Sequence, residues 1–275
     1  MWKVVRHRAI LLHGPAAAVL QVAQPRIGLG VMEHSNFTDD PTSRLHRTLD
    51  AVYAIAFGTR EQAERAARVV AGRHRKVVGD ASAHAVPGAP RYSTREPDLL
   101  MWVIATLVWS AVGGYERTVA PLARDEKEAF YRDMRTLGTF FGLPATFGPQ
   151  ALDDFERYFD AMIADPLIGS HPVSRKVARA VARPATPWWL RLAGGPITFI
   201  FSEILPPPVR DRLGFRSTVI SRASYRFATV ALRIFDRFAP DVLRFQPQYR
   251  TAMREDEPLR PTGVADEHAF PTVPQ

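Results

Sequence analysis

The chain has 275 residues, enough for one large domain or two small ones with a substantial buried core, and 46% of its residues are hydrophobic, as in an ordinary globular protein. It contains no cysteine, which excludes disulfides, thiolate metal sites and covalently attached haem. The 36 basic residues outnumber the 28 acidic ones and give a net charge of +8, but they are spread over the whole chain and form no basic patch typical of a nucleic-acid-binding domain.

The N-terminal segment predicts a core helix over Arg6–Gln24. Its apolar run is interrupted by His13 and Pro15, so it lacks the continuous apolar stretch and cleavage site of a signal peptide. We therefore expect a cytoplasmic protein. The next residues, 25–37, contain two glycines and predict a loop or short turns that could form the floor of a pocket.

Two helices joined by a tight Gly-Thr turn are predicted over residues 40–79. Asp40 and Pro41 form a helix start, and Thr59 with Gln62 forms a capping box for the second helix.

Polar residues lie on both predicted helices. Arg44, Arg47 and Thr48 share one face of the first helix, and His74 interrupts an apolar stripe on the second. By spacing alone, arginines in this pattern most often form a solvated face, and a lone histidine on an apolar stripe is more often a hydrogen-bonded core residue than a ligand.

Residues 80–97 are rich in Ala, Pro, Gly and Ser and predict a loop over the mouth of any pocket between the neighbouring helices. The most apolar stretch, Leu99–Tyr115, follows it. Because only 17 uncharged residues separate Asp98 from Glu116, we favour a buried central helix over a membrane span.

The rest of the chain predicts further helices and no confident strand. The expected helices are Asp125–Phe141, Pro149–Ile163, Ser174–Ala182, Pro187–Ile204, Pro206–Leu213 and Ser217–Phe238. The Arg- and Trp-rich residues 175–201 are the best candidate for a peripheral membrane contact or a hydrophobic-substrate entrance, with packing into the core as the alternative. The expected architecture is all-α, with one large helical domain over residues 1–250 and a disordered tail over 251–275.

Motifs of other function classes are missing from the sequence. A helix-turn-helix could be assigned to residues 38–79, but the large apolar segments elsewhere demand a core that small DNA-binding domains lack, so we expect no nucleic-acid partner. There is no H-E-x-x-H, no G-x-S-x-G and no P-loop.

Five segments in order resemble the rubber oxygenase family, which comprises latex-clearing proteins, fungal mpaB-type oxygenases and bacterial relatives. They are LLHGPAAAVLQVAQP (Leu11–Pro25), DPTSRLHRT (Asp40–Thr48), HRKVVG (His74–Gly79), YSTREPDLLMWVIATL (Tyr92–Leu107) and LPPPVRDRLGF (Leu205–Phe215). The resemblance covers roughly residues 2–250.

The resemblance implies an all-α protein with a haem-sized pocket between helices, which binds haem b and acts with O2 on a small apolar, isoprenoid- or lipid-like substrate. By position, His74 is similar to the histidine that ligates the iron, so it would serve as the metal and cofactor ligand. Arg44, Arg47 and Thr48 are similar to the polar cluster on the oxygen side, with Arg44 and Thr48 also contacting the cofactor. Guanidinium donors there could stabilise negative charge that develops on the O–O unit.

Three departures from the family pattern keep a second reading open. Ile104 stands where many relatives have histidine, Gln24 replaces another histidine, and Val78 stands where an arginine is common. The alternative is a non-catalytic helical protein of the same fold that binds a ligand or haem but has lost the oxygen chemistry.

Overall fold

The central apolar helix predicted from the sequence lies at the heart of the fold. The computed structural model describes residues 1–35, 41–87, 90–182 and 200–254, with the backbone alone for 41–47. Trp102, on the 22-residue helix α6 (Pro97–Thr118), is fully buried and donates its indole N–H to the carbonyl of Leu20 at 3.0 Å. This helix packs against helices from both halves of the chain, so it organises the core.

The all-α prediction is confirmed, since helices account for nearly all regular structure in the described residues. They are α1 (Trp2–Val5), a 3-10 helix (Arg8–His13), α2 (Gly14–Ala23), α3 (Pro25–His34), α4 (Pro41–Phe57), α5 (Arg60–His74), α6, α7 (Arg124–Phe140), α8 (Leu152–Ala164), α9 (Pro172–Ala182), α10 (Pro207–Leu213), α11 (Val219–Phe238), α12 (Asp241–Arg244) and α13 (Pro247–Ala252). A short 3-10 turn at Ser82–His84 and the helical residues 200–204 complete the set.

Helix α6 is also the one described helix that is long and apolar enough to cross a membrane. A stretch of 18 residues within α6 has a mean hydropathy of 1.4, and 61% of that stretch is buried inside the protein. A core helix has the same length and composition, and α6 contacts the 3-10 helix, α2, α7 and α11.

The loop predicted for residues 25–37 is wrong over most of its length, because helix α3 occupies Pro25–His34. Gln24 caps this helix by accepting hydrogen bonds from the N–H groups of Arg26 (2.6 Å) and Ile27 (3.2 Å). Gly28 does not break the helix but lets it pack closely, since a Cβ there would lie 2.8 Å from the carbonyl oxygen of Val22.

Two short strands lie where the sequence predicts none: the first ends at residue 80, where the predicted loop begins, and the second lies within that loop. Strand β1 (Val78–Asp80) pairs antiparallel with β2 (Arg91–Ser93), with Gly79 opposite Tyr92. The pairing needs glycine at this position because a Cβ on Gly79 would lie 2.5 Å from the Tyr92 hydroxyl. Strands of three residues are too short for the alternation that identifies a strand in a sequence.

The N- and C-terminal parts of the described chain meet. His7 forms an isolated antiparallel bridge with Phe245, and the N–H of Gln246 donates to the carbonyl of Arg6 at 2.8 Å. The Trp-rich residues 183–199, Asp40 at the predicted helix start, and most of the predicted tail, 255–275, lie outside the described residues.

Candidate functional site

Helices α4 and α5 form a helical hairpin with its turn at Gly58–Thr59, as the sequence predicts. The capping box is present: Thr59 Oγ1 accepts from the N–H of Gln62, and Gln62 Oε1 accepts from the N–H of Thr59. The two helices pack against each other, and near the turn Phe57 is buried in contact with Trp2 and Tyr249.

The hairpin brings the backbone positions of Arg44 and His74 to one level. Arg44 lies 14 residues before Gly58 and His74 lies 15 residues after Thr59, so at a 1.5 Å rise each is ~21–23 Å from the turn. Both are therefore at the open end of the hairpin. The side chains of Arg44 and Arg47 lie outside the described residues, while Thr48 is exposed on α4.

The apolar stripe of α5 is present, and its burial decreases along the helix toward His74. Ala63 is fully buried, Ala67 is nearly so, Val70 is half-buried and His74 is exposed. No apolar wall encloses the imidazole of His74 in the described part of the chain, since the residue is exposed. The physical reason is position, because His74 is the last residue of α5 and lies beyond the buried part of the hairpin.

The backbone of His74 is held by the segment that enters α6. Its carbonyl oxygen accepts the Thr94 hydroxyl at 2.8 Å and the Val77 N–H at 2.9 Å. The N–H of Thr94 donates in turn to the carbonyl of Val77 at 3.3 Å. Part of the segment predicted to lie over a pocket mouth thus packs against the end of α5.

A polar cluster that sequence reasoning missed lies beside β1. Tyr92 is buried and donates its hydroxyl to Glu33, His34 Nε2 is 3.1 Å from the same hydroxyl, and His84 Nε2 is 2.9 Å from Glu33. Burial and the neighbouring Glu33 carboxylate raise the pKa of the Tyr92 hydroxyl. The segment 25–37 contains Glu33 and His34, but a loop assignment gives no reason to expect both residues beside Tyr92.

The three departures from the family motif occupy different environments. Ile104 is buried on α6, where its side chain lies 3.3 Å from the place of a Cβ on Gly138 of α7. Gln24 caps α3, and Val78 is largely exposed on β1. The residue at 104 therefore contributes to the contact between α6 and α7.

Two cavities lie elsewhere in the described part of the chain. One of about 390 Å³ is bounded by the 3-10 helix, α11 and α12, and one of about 250 Å³ lies between α6 and α11. Neither is lined by α4 or α5, so the haem-sized pocket between those helices stays a prediction. Within the described residues, no group of three or more His, Asp or Glu side chains could hold a metal ion.

Comparison with known protein families shows one family that the chain matches over most of its length. Residues 2–234 match the family described as ER-bound oxygenase mpaB/B'/Rubber oxygenase, catalytic domain. The chain belongs to this family. The match runs from α1 nearly to the end of α11 and includes the hairpin, β1, β2 and α6. Membership is consistent with an oxygenase-like role. No curated protein and no solved structure matched the chain.

Proposed function

We propose that this chain is an oxygenase-like oxidoreductase that binds haem b and acts with O2 on a small apolar substrate of isoprenoid or lipid type. The observation that carries the proposal is the family match over residues 2–234, which contains the D-P-x-x-R-L-x-x-T and H-x-x-V-x-G segments in order. The family is consistent with an oxygenase-like role, while the oxygen chemistry, the cofactor and the substrate class are our inference.

The donor set at the open end of the hairpin fits a haem in its chemistry. Haem iron is commonly held by one neutral imidazole, and His74 supplies one at the level of Arg44. Haem b, when bound, supplies the iron at which dioxygen is activated.

The protein side chains have separate roles in this proposal. His74 would ligate the iron, and the two hydrogen bonds to its carbonyl oxygen hold the end of α5 in place. Arg44 and Arg47 supply guanidinium N–H donors to negative charge that develops on the reacting oxygen atoms, and Thr48 supplies a hydroxyl that donates or accepts a hydrogen bond. The apolar substrate enters near the 80–97 segment.

A non-catalytic protein of the same fold is the second candidate. The observation that favours it is the environment of Ile104, which fills the contact between α6 and α7 with an apolar side chain where many relatives have an imidazole. Under this alternative the chain binds an apolar ligand or haem without oxygen chemistry.

Turnover with isotope-labelled dioxygen tests the proposed function. Haem-loaded protein is incubated with polyisoprenoid, terpenoid and lipid substrates, and the products are analysed by mass spectrometry. We expect label in the product of at least one class. Arg44→Gln should lower the rate by about 10²–10³-fold, as loss of one donor to a developing oxyanion typically does.

The controls separate chemistry from folding. Arg157→Gln changes an exposed arginine on α8 and should leave the rate unchanged. If haem-loaded protein consumes no oxygen with any substrate class, the non-catalytic alternative is the correct one.

A further inference from the structure

Helix α11 differs from an ordinary surface helix, because its buried residues carry polar groups and large apolar side chains are exposed. The three buried residues of this helix, Ser221, Tyr225 and Asp236, all carry polar groups. Ser221 donates to Glu203, and Asp236 lies 2.8 Å from His7 Nδ1. Hydrogen bonds of buried polar groups, together with the packing of Tyr225 in the core, therefore attach this side of the helix.

The outward face of α11 is apolar along its whole length. Its members recur at helical spacing and are Ile220, Ala223, Phe227, Val230, Ile234 and Phe238. Phe227 is 77% exposed, Phe238 76% and Ile220 74%. Scattered apolar residues on a surface are normal, but a continuous row of large ones marks a site that binds another apolar surface.

A row of arginines runs along one edge of this apolar face. Arg222, Arg226, Arg233 and Arg237 are all exposed and recur at spacings of four and seven residues, which places them on one side of the helix. The only acidic residue between 219 and 238 is Asp236, which is buried on the opposite side. The exposed part of α11 is thus apolar on one face and purely cationic on its edge.

A groove adjoins the same edge. The cavity of about 250 Å³ between α6 and α11 is lined by two guanidinium side chains, Arg117 and Arg233, together with Val230 and Ile234 of the apolar face. Guanidinium groups beside an apolar wall suit a phosphate that carries acyl chains.

We propose that the outward face of α11 docks onto the surface of a bilayer that contains anionic phospholipids. Phe227, Phe238 and Ile220 enter the acyl boundary, and the arginine row lies at the level of the phosphates. An amphipathic helix with bulky apolar side chains on one face and arginines beside them binds in this manner. Charge complementarity favours this occupant over a second copy of the chain, because two copies would bring two arginine rows together.

Vesicle co-sedimentation of the full chain tests the proposal. The vesicles are phosphatidylcholine alone and phosphatidylcholine mixed with phosphatidylglycerol. We expect binding to the mixed vesicles that weakens at high salt. Phe227→Ser should weaken partitioning at least about tenfold, and Arg226→Gln should weaken binding to the mixed vesicles about fivefold with little effect on phosphatidylcholine alone.

Matched controls lie on other surfaces of the protein. Phe147→Ser, in the connection between α7 and α8, and Arg157→Gln, on α8, remove the same kinds of side chain and should leave binding unchanged. Circular dichroism confirms that each variant folds.

Three results would overturn the proposal. They are equal binding to both vesicle types, binding that Phe227→Ser leaves unchanged, and no binding at all. Sedimentation velocity adds a direct test of the other occupant, since a dimer that Phe227→Ser dissociates would assign the face to a second copy.

Discussion

At the scale of single residues, burial changes the pKa of two histidines, His7 and His13. His13 is nearly fully buried, and its Nε2 lies 3.2 Å from the Tyr225 hydroxyl. Its Nδ1 has no hydrogen-bond partner in the described part of the chain. Burial, with a smaller contribution from the positive charge of Arg117, lowers the pKa of His13 to about 4.

The pKa of His13 predicts a loss of stability in mild acid. Because the pKa is depressed in the folded state, the unfolded chain binds the proton first as the pH falls below about 6.5, and the folded state loses stability down to about pH 4. Between pH 6.5 and 5 this amounts to about 1.5 kcal/mol. Urea unfolding at the two pH values should show that His13→Gln, which keeps a polar partner for Tyr225, loses about this much less than the wild type.

The change in unfolding free energy between the two pH values is compared in the wild type and in His13→Gln, and this comparison isolates the contribution of His13 from that of other titrating groups. Burial also lowers the pKa of His7, which the Asp236 carboxylate partly offsets, and this contribution is common to both proteins. A His13→Gln variant with the same pH dependence as the wild type would show that His13 does not titrate as a buried, neutral imidazole.

At the scale of elements, local sequence signals predict most helices and fail where tertiary contacts decide. The Thr59–Gln62 capping box places the start of α5 to the residue. Helix α3 is not predicted from the sequence because Gly28 and Gly30 are typical of a loop. The structure explains why glycine stands at these helical positions, since neighbouring backbone and side chains approach both residues closely.

Periodicity predicts that α11 is amphipathic but not which face is buried. The same limit applies to the candidate site. The motifs identify Arg44 and His74, and the hairpin brings their backbones to one level, whereas the exposure of His74 depends on what covers the end of α5.

Two glycines on different helices give opposite predictions for stability. In Gly28→Ala the new Cβ would lie 2.8 Å from a backbone carbonyl oxygen, so α3 must shift, and we expect a loss of about 1–3 kcal/mol. In Gly72→Ala on α5 nothing lies within 4 Å, so the higher helix propensity of alanine should add about 0.5–1 kcal/mol. Thermal unfolding followed by circular dichroism measures both. Equal effects of the two substitutions would contradict the close packing of α3 against α2.

At the scale of the whole molecule, the residues that match the family are the ones that form most of the described helices. The match over residues 2–234 spans the buried α6, the α4–α5 hairpin and nearly all of α11. A helical body that docks on a bilayer through α11 would have direct access to apolar substrates. The proposal of membrane docking and the proposal of oxygen chemistry can nevertheless be tested separately, because no residue of the outward face of α11 belongs to the α4–α5 hairpin.

The visible spectrum of the purified protein tests the central claim most directly. With haem supplied during expression, we predict a strong Soret band that His74→Ala abolishes and that His171→Ala, on the turn before α9, retains. A colourless wild-type protein, or a Soret band that survives unchanged in His74→Ala, would contradict the assignment of His74 as the haem ligand.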